Sequence, residues 1–283
     1  MPQSHTKQAD ATPKKLKAFT VSASSVSCLL FFLLSFLYLW LVVEPRLIYY
    51  CFGTILSDTN QFATGWSPLR DSLQLPGGLV AHIAAFLSVG FHRSWLGAVI
   101  IVLTGASLAE LTRRHLVKAG LSDATIPALL PAVALFLIYS DYKHPLPAAM
   151  MASCGLLLSL LFERLPSHRF GIRTVAFCLS AAVAFWLSGP MTLLGFAVMT
   201  VLYAAFLRKD WPMTVLALPA AAGIAWLLSE HLFLLPISQA LRACTKMPSV
   251  IGLSPFFRTL HFLVYGLAPL ALLLTLAGRH FFA

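Results

Sequence analysis

The sequence predicts an all-α fold: a polytopic transmembrane helical bundle of about eight spans, with one short interfacial or re-entrant helix over 79–91. Three observations predict it. First, 59% of the 283 residues are hydrophobic and only 11% are charged, with a mean hydropathy of +0.82. A soluble domain carries about 25% charged residues, because its surface must meet water. Second, the apolar residues fall in runs near the ~20 residues that a helix needs to cross a bilayer. Third, the basic residues cluster between those runs, with a bias that alternates from one inter-run segment to the next. The net charge of +10 is therefore read as membrane-facing loops and not as a nucleic-acid surface.

The chain begins with a polar, basic stretch over 1–20 that carries Lys7, Lys14, Lys15 and Lys17, read as a disordered cytoplasmic tail. Residues 21–283 form one transmembrane domain. Its first apolar run, 24–43, ends in Val43-Glu44-Pro45 without a small-x-small cleavage site, and reads as an uncleaved signal anchor. Further spans are expected over 95–111, 124–140, 145–162, 172–188, 190–207, 212–235 and 259–278. The stretch Leu79–Phe91 starts at Pro76-Gly77-Gly78, a helix-start signal, and is too short to cross.

Charge decides how that stretch is counted. If it does not cross and the amino terminus is cytoplasmic, thirteen of the twenty lysines and arginines lie inside and seven outside. If it crossed, every later loop would invert and the inside would keep nine. The positive-inside rule selects the first arrangement, with both termini cytoplasmic in a bacterial inner membrane. Two outer segments follow, 44–94 and 230–258.

Of the five cysteines, Cys28, Cys154 and Cys178 lie in apolar runs, while Cys51 and Cys244 fall on the same outer face. No metal-ligand spacing occurs among them, and no cofactor motif is evident. The chain also lacks a P-loop, a Gly-x-Ser-x-Gly elbow and a His-Glu-x-x-His helix. No charge sits in mid-span, where ion paths need one. Glu110 precedes Arg113 and Arg114 by three and four residues, the spacing of ion pairs on one helix face. Glu163 and Asp210 lie among inner basic residues and read as ordinary solvated neighbours.

The candidate chemistry therefore lies outside. Glu44, in Glu44-Pro45-Arg46-Leu47-Ile48-Tyr49-Tyr50, emerges where the first span leaves the lipid; Asp58 and Asp71 follow in the same segment. Asp71 lies close to a helix start, whose backbone N–H groups favour anions. Arg258, His261 and Tyr265 are spaced i, i+3 and i+7 at the outer end of the last span, which places them on one face to hold a lipid phosphate.

This arrangement of first span, acidic outer segment with a short helix, and closely linked later spans resembles the GT-C integral-membrane glycosyltransferases. The resemblance implies transfer of a sugar from a polyprenyl-phosphate donor by an outer-loop carboxylate, often with a divalent metal. Glu44, Asp58 and Asp71 would be the catalytic candidates. The segment Ser72-Leu73-Gln74-Leu75-Pro76-Gly77-Gly78-Leu79 is also similar to one in an uncharacterised family of polytopic bacterial membrane proteins. Two readings thus stand. One is a non-catalytic subunit or scaffold whose small-residue stretches (Ala181-Ala182, Ala220-Ala221-Ala222) pack on partner helices. The other is a GT-C-like transferase. The expected partners are membrane lipid and other membrane proteins, not nucleic acid.

The topology is checked by single cysteines in a cysteine-free background. Ser57→Cys and Ser94→Cys are expected to react with an impermeant thiol reagent in intact cells, and Ser122→Cys to react only after lysis. The reverse pattern for the last two would mean that 79–91 crosses.

Overall fold

A computed structural model describes residues 23–51, 65–141, 146–165, 170–233 and 266–278, and these residues are helical throughout apart from their turns. Helices are what a lipid-embedded chain must form, since every backbone N–H and C=O has to be paired within the segment. The first helix, α1 (Ala23–Tyr38), continues as a π-turn over Leu39–Val43. It stops at Glu44, whose backbone is left-handed (φ 50°) and whose N–H donates to the Leu39 carbonyl at 2.9 Å. Pro45 then opens α2 (Pro45–Cys51), a position where its missing N–H costs nothing. Among the described residues, two short helices come next, α3 (Trp66–Leu73) and α4 (Gly78–Val89), the latter tightening to a 3₁₀ turn over Gly90–His92.

The bundle proper comprises α5 (Ser94–Lys118), α6 (Thr125–Ser140), α7 (Leu146–Glu163), α8 (Phe170–Ser188), α9 (Pro190–Leu202, wound as a π-helix over Tyr203–Arg208) and α10 (Trp211–His231). A further apolar helix, α11, covers Gly266–Gly278. Its Ala268, Leu272 and Leu276, one helical stripe, are buried against Leu108, Ile138 and Tyr203. Among the described residues, six helices are long and apolar enough to cross a membrane: Val26–Val43, Ser94–Lys118, Leu146–Glu163, Phe170–Ser188, Pro190–Arg208 and Trp211–His231. These coincide with six of the eight expected spans. The expected span over 124–140 corresponds to the 16-residue α6, about 24 Å long and so at the lower limit for crossing. The last, 259–278, is described only over its second part.

Neighbouring helices pack closely where a side chain is missing. Gly155 of α7 faces the α9 backbone, where an added Cβ would meet the Thr192 carbonyl oxygen at 3.0 Å. Beside it the Thr192 hydroxyl donates to the Met151 carbonyl at 2.9 Å. Gly105 of α5 likewise receives the ring of Phe136 from α6. The outer surface is the reverse of a soluble one: Leu29, Leu34, Leu41, Leu179, Val215 and Leu274 are all exposed. That is the composition of a surface that meets lipid tails.

The placement of α4 answers the question that charge counting raised. At its start, the Gly77 N–H donates to the Trp186 carbonyl at 2.9 Å, and Gly77 itself abuts Gly189 in the α8–α9 turn. At its far end, Phe91 lies against Tyr139, near the end of α6, and beside Gly97, near the start of α5. The α8–α9 turn, the end of α6 and the start of α5 all belong to the same end of the bundle. The helix therefore lies across that end, over α7 and α8, and does not pass through it. Its 12 residues reach about 18 Å.

Docking depends on glycine at two points. Gly77 has φ +78°, and a Cβ there would sit 2.9 Å from the Gly189 Cα. At Gly78 a Cβ would overlap the Ser72 carbonyl. Gly77→Val combines left-handed strain with a backbone clash, and is expected to cost at least about 2 kcal/mol. Thermal unfolding in detergent checks this; an unchanged midpoint would mean that α4 is held loosely.

Candidate functional site

Five helix ends converge at the end of the bundle opposite α4. They are the last residue of α5, the last of α7, the first turn of α8, the π-wound end of α9 and the residue before α10. Each brings one charged side chain: Lys118, Glu163, Arg173, Arg208 and Asp210. Glu163 is the centre, with a side chain only 1% exposed. Its Oε1 accepts from Arg173 Nη2 at 2.8 Å; its Oε2 accepts from Arg208 Nε at 2.9 Å and faces Lys118 Nζ at 3.7 Å. Arg173 is also buried, and its Nη1 donates to Asp210 Oδ2 at 3.3 Å. Arg208 ties back again, Nη2 donating to the Glu163 backbone carbonyl at 2.8 Å. Asp210 in turn caps α10, accepting from the Met213 N–H at 3.3 Å.

The π-turn makes this possible. At α-helical winding, five residues rotate a side chain by about 500°, so Tyr203 and Arg208 would point well apart. Winding with i→i+5 bonds brings residue i+5 nearly above residue i. Arg208 then reaches Glu163 while the Tyr203 hydroxyl points at His115 Nδ1, 2.6 Å away. The imidazole is fully buried, and its Nε2 lies 3.0 Å from the Leu156 carbonyl. A carbonyl can only accept, so Nε2 carries the hydrogen and Nδ1 accepts from the phenol. Ser159 completes the layer, its hydroxyl donating to the same carbonyl at 2.8 Å. Lys118 caps the layer from above, 4.8 Å from the centre of the Tyr203 ring. Together these contacts join α5, α7 and α9 through a buried polar layer directly beneath the ion pairs.

Seven of the ten described lysines and arginines belong to this end: Arg113, Arg114, Lys118, Arg164, Arg173, Arg208 and Lys209. Only Arg46, Arg70 and Arg93 belong to the other. The acidic residues divide evenly, with Glu110, Asp123, Glu163 and Asp210 at this basic end. The expected ion pair on α5 is present, with Glu110 accepting from Arg113 Nε at 2.7 Å and Arg114 Nε at 2.8 Å.

At the opposite end the outer candidates separate. Asp71 is exposed on α3, at the rim of an open cleft lined by Leu73, Gln74, Leu75, Trp186, Leu232 and Phe233. The Trp186 indole N–H donates to the Leu73 carbonyl at 3.0 Å and fixes one wall. Glu44 occupies the α1–α2 corner and does not line that cleft. Asp58, Arg258, His261 and Tyr265 lie outside the described residues. Among the described residues, no three His, Cys, Asp or Glu side chains gather as metal ligands. His82 is half-buried, its Nδ1 3.4 Å from the Ser72 hydroxyl.

Sequence reasoning passed over the Glu163 cluster because each of its members ends or begins a run, where charge is ordinary. A signal was nonetheless present. Arg173 sits four residues into the helix Phe170–Ser188, where a cation requires a counter-charge. The strength of the tie is measured by removing that charge. Glu163→Gln leaves the buried Arg173 guanidinium with Asp210 as its one carboxylate and is expected to destabilise the protein by about 3 kcal/mol, the low end for breaking a buried pair. Replacing both members, Glu163→Gln with Arg173→Met, should recover part of that loss. Detergent unfolding midpoints of the single and double variants check it.

No curated protein and no solved structure is matched. The topological resemblance to the GT-C enzymes gains no support from these comparisons. A family model covers residues 19–281, which takes in every described helix, and by that match the chain belongs to a family of unknown function, DUF6057.

Proposed function

We propose that the chain is a non-catalytic subunit or scaffold of a membrane assembly, spanning a bacterial inner membrane eight times. Its basic end faces the cytoplasm, as the positive-inside rule requires, and both termini lie there. The helix α4 rests at the outer interface. One observation carries the scaffold reading: the buried charges of the described chain are spent on fastening helix ends to one another. Glu163 and Arg173, the buried members of the cluster, are committed to each other and to Arg208 and Asp210. Such a cluster holds a bundle in one arrangement, which a scaffold needs in order to present fixed lipid-level faces to partner helices.

A second reading is favoured by one specific feature. Asp71 stands at the rim of the outer cleft that Trp186, Leu232 and Phe233 also line, and in sequence Phe233 precedes the segment that carries Arg258 and His261. This is where a GT-C-like transferase would hold a polyprenyl-phosphate sugar. A divalent metal would enter only with that reading. Asp71 is the one described carboxylate on the cleft, too few donors to hold a cation by itself.

The two readings part on Asp71→Asn. For the scaffold, the protein extracted in mild detergent should run by light scattering at a mass well above the 30.9 kDa chain, and the substitution should leave that mass unchanged. A monomeric mass, together with loss of labelled-sugar transfer in Asp71→Asn membranes, would replace the scaffold with the transferase.

A further inference from the structure

Among the described residues, the charge cluster at the basic end does not balance. Lys118, Arg164, Arg173 and Arg208 stand around it against two carboxylates, Glu163 and Asp210, a surplus of two positive charges. The buried part is satisfied, because both terminal nitrogens of Arg173 are committed to carboxylates. The surplus sits at the accessible edge. Lys118 is 35% exposed and holds Glu163 only at 3.7 Å. Arg208 is 32% exposed, and its Nη1 has no hydrogen-bond partner among the described residues. Arg164 is exposed, makes no ion pair among the described residues, and sits next to Glu163 in the chain at the end of α7.

Lys118 and Arg208 thus meet on one oxygen of a buried carboxylate, Glu163 Oε2, and the exposed Arg164 follows Glu163 directly in the chain. Like charges held this close favour a shared anion. The donors available are a guanidinium edge and an ammonium, the groups that hold phosphate oxygens. The site lies at the end of apolar, lipid-facing helices, the depth of phospholipid headgroups. We propose that Lys118, Arg164 and Arg208 form a phosphate site at the basic end of the bundle, filled by the headgroup of an acidic phospholipid. Basic pockets between helices on the cytoplasmic side of membrane proteins take anionic headgroups on the same physical grounds. The inference needs only the membrane setting and is independent of whether the protein is a scaffold or a transferase.

The test uses the purified full-length protein in a non-ionic detergent. Its unfolding midpoint is followed while phosphatidylglycerol, phosphatidylcholine or inorganic phosphate is added. Phosphatidylglycerol should raise the midpoint, and phosphatidylcholine, whose headgroup is neutral overall, should not. The half-saturating concentration of phosphatidylglycerol should rise about fivefold for each cation removed, in Arg164→Gln and again in the Lys118→Gln/Arg164→Gln pair. Arg93→Gln, at the opposite end, should behave as the unsubstituted protein. Arg164→Gln breaks no ion pair, so it remains informative if the double variant fails to fold. A midpoint that rises with inorganic phosphate alone, and loses that response in Arg164→Gln, supports the phosphate site with a soluble source. Equal responses to both lipids, or an Arg164→Gln protein indistinguishable from Arg93→Gln, would overturn the proposal.

Discussion

Glu163 is the constraint on which the arrangement of this bundle rests. A carboxylate with a side chain 1% exposed is costly to bury without partners, and it has three. Two of them, Arg173 and Arg208, come from other helices, α8 and α9. Apolar contact is weak at telling one helix arrangement from another in lipid, since the tails are as apolar as the side chains. Fixing Arg173 and Arg208 on one carboxylate therefore sets the rotation of α8 and α9 about α7. Asp210 extends the same constraint to α10, because it both receives Arg173 and caps that helix.

The π-wound end of α9 follows from this demand. It turns Tyr203 and Arg208 to one side, so that one residue serves the His115 layer and the other serves Glu163. Below that layer the helices meet through Gly155, Gly105 and the Thr192 hydroxyl, where small residues let backbones come close. The polar ties and the close contacts thus act at different depths along the same helices.

The opposite end is closed by different physics. There α4 is held by backbone, through the Gly77 N–H on the Trp186 carbonyl and the Gly77–Gly189 approach, with the Trp186 indole returning to Leu73. This cap forms one wall of the cleft on which Asp71 stands. The two ends are consequently unlike in kind: one is locked by buried charge, the other is covered by a docked helix beside an open cleft.

The sequence by itself determined the membrane class, most of the helix boundaries, the short helix after Pro76-Gly77-Gly78 and the Glu110–Arg113–Arg114 pairing. Each of these depends on composition, run length or spacing within one helix, and such quantities are local. The six long helices fall on expected runs for that reason, while α6 at 16 residues shows how soft a run length becomes near the crossing limit. Among the candidate residues, Asp71 was legible as a carboxylate shortly before Pro76-Gly77-Gly78, but its place in the last turn of α3 and on a cleft with Trp186 and Phe233 was not, since those two residues lie more than a hundred positions away. Only the tertiary structure decided that Glu163, Arg173 and Arg208 form one buried cluster. Each looks like an ordinary charged residue at a helix end until three helix ends are placed together, and burial, which turns a solvated charge into a structural requirement, is a property of that assembled end and of no single stretch of sequence.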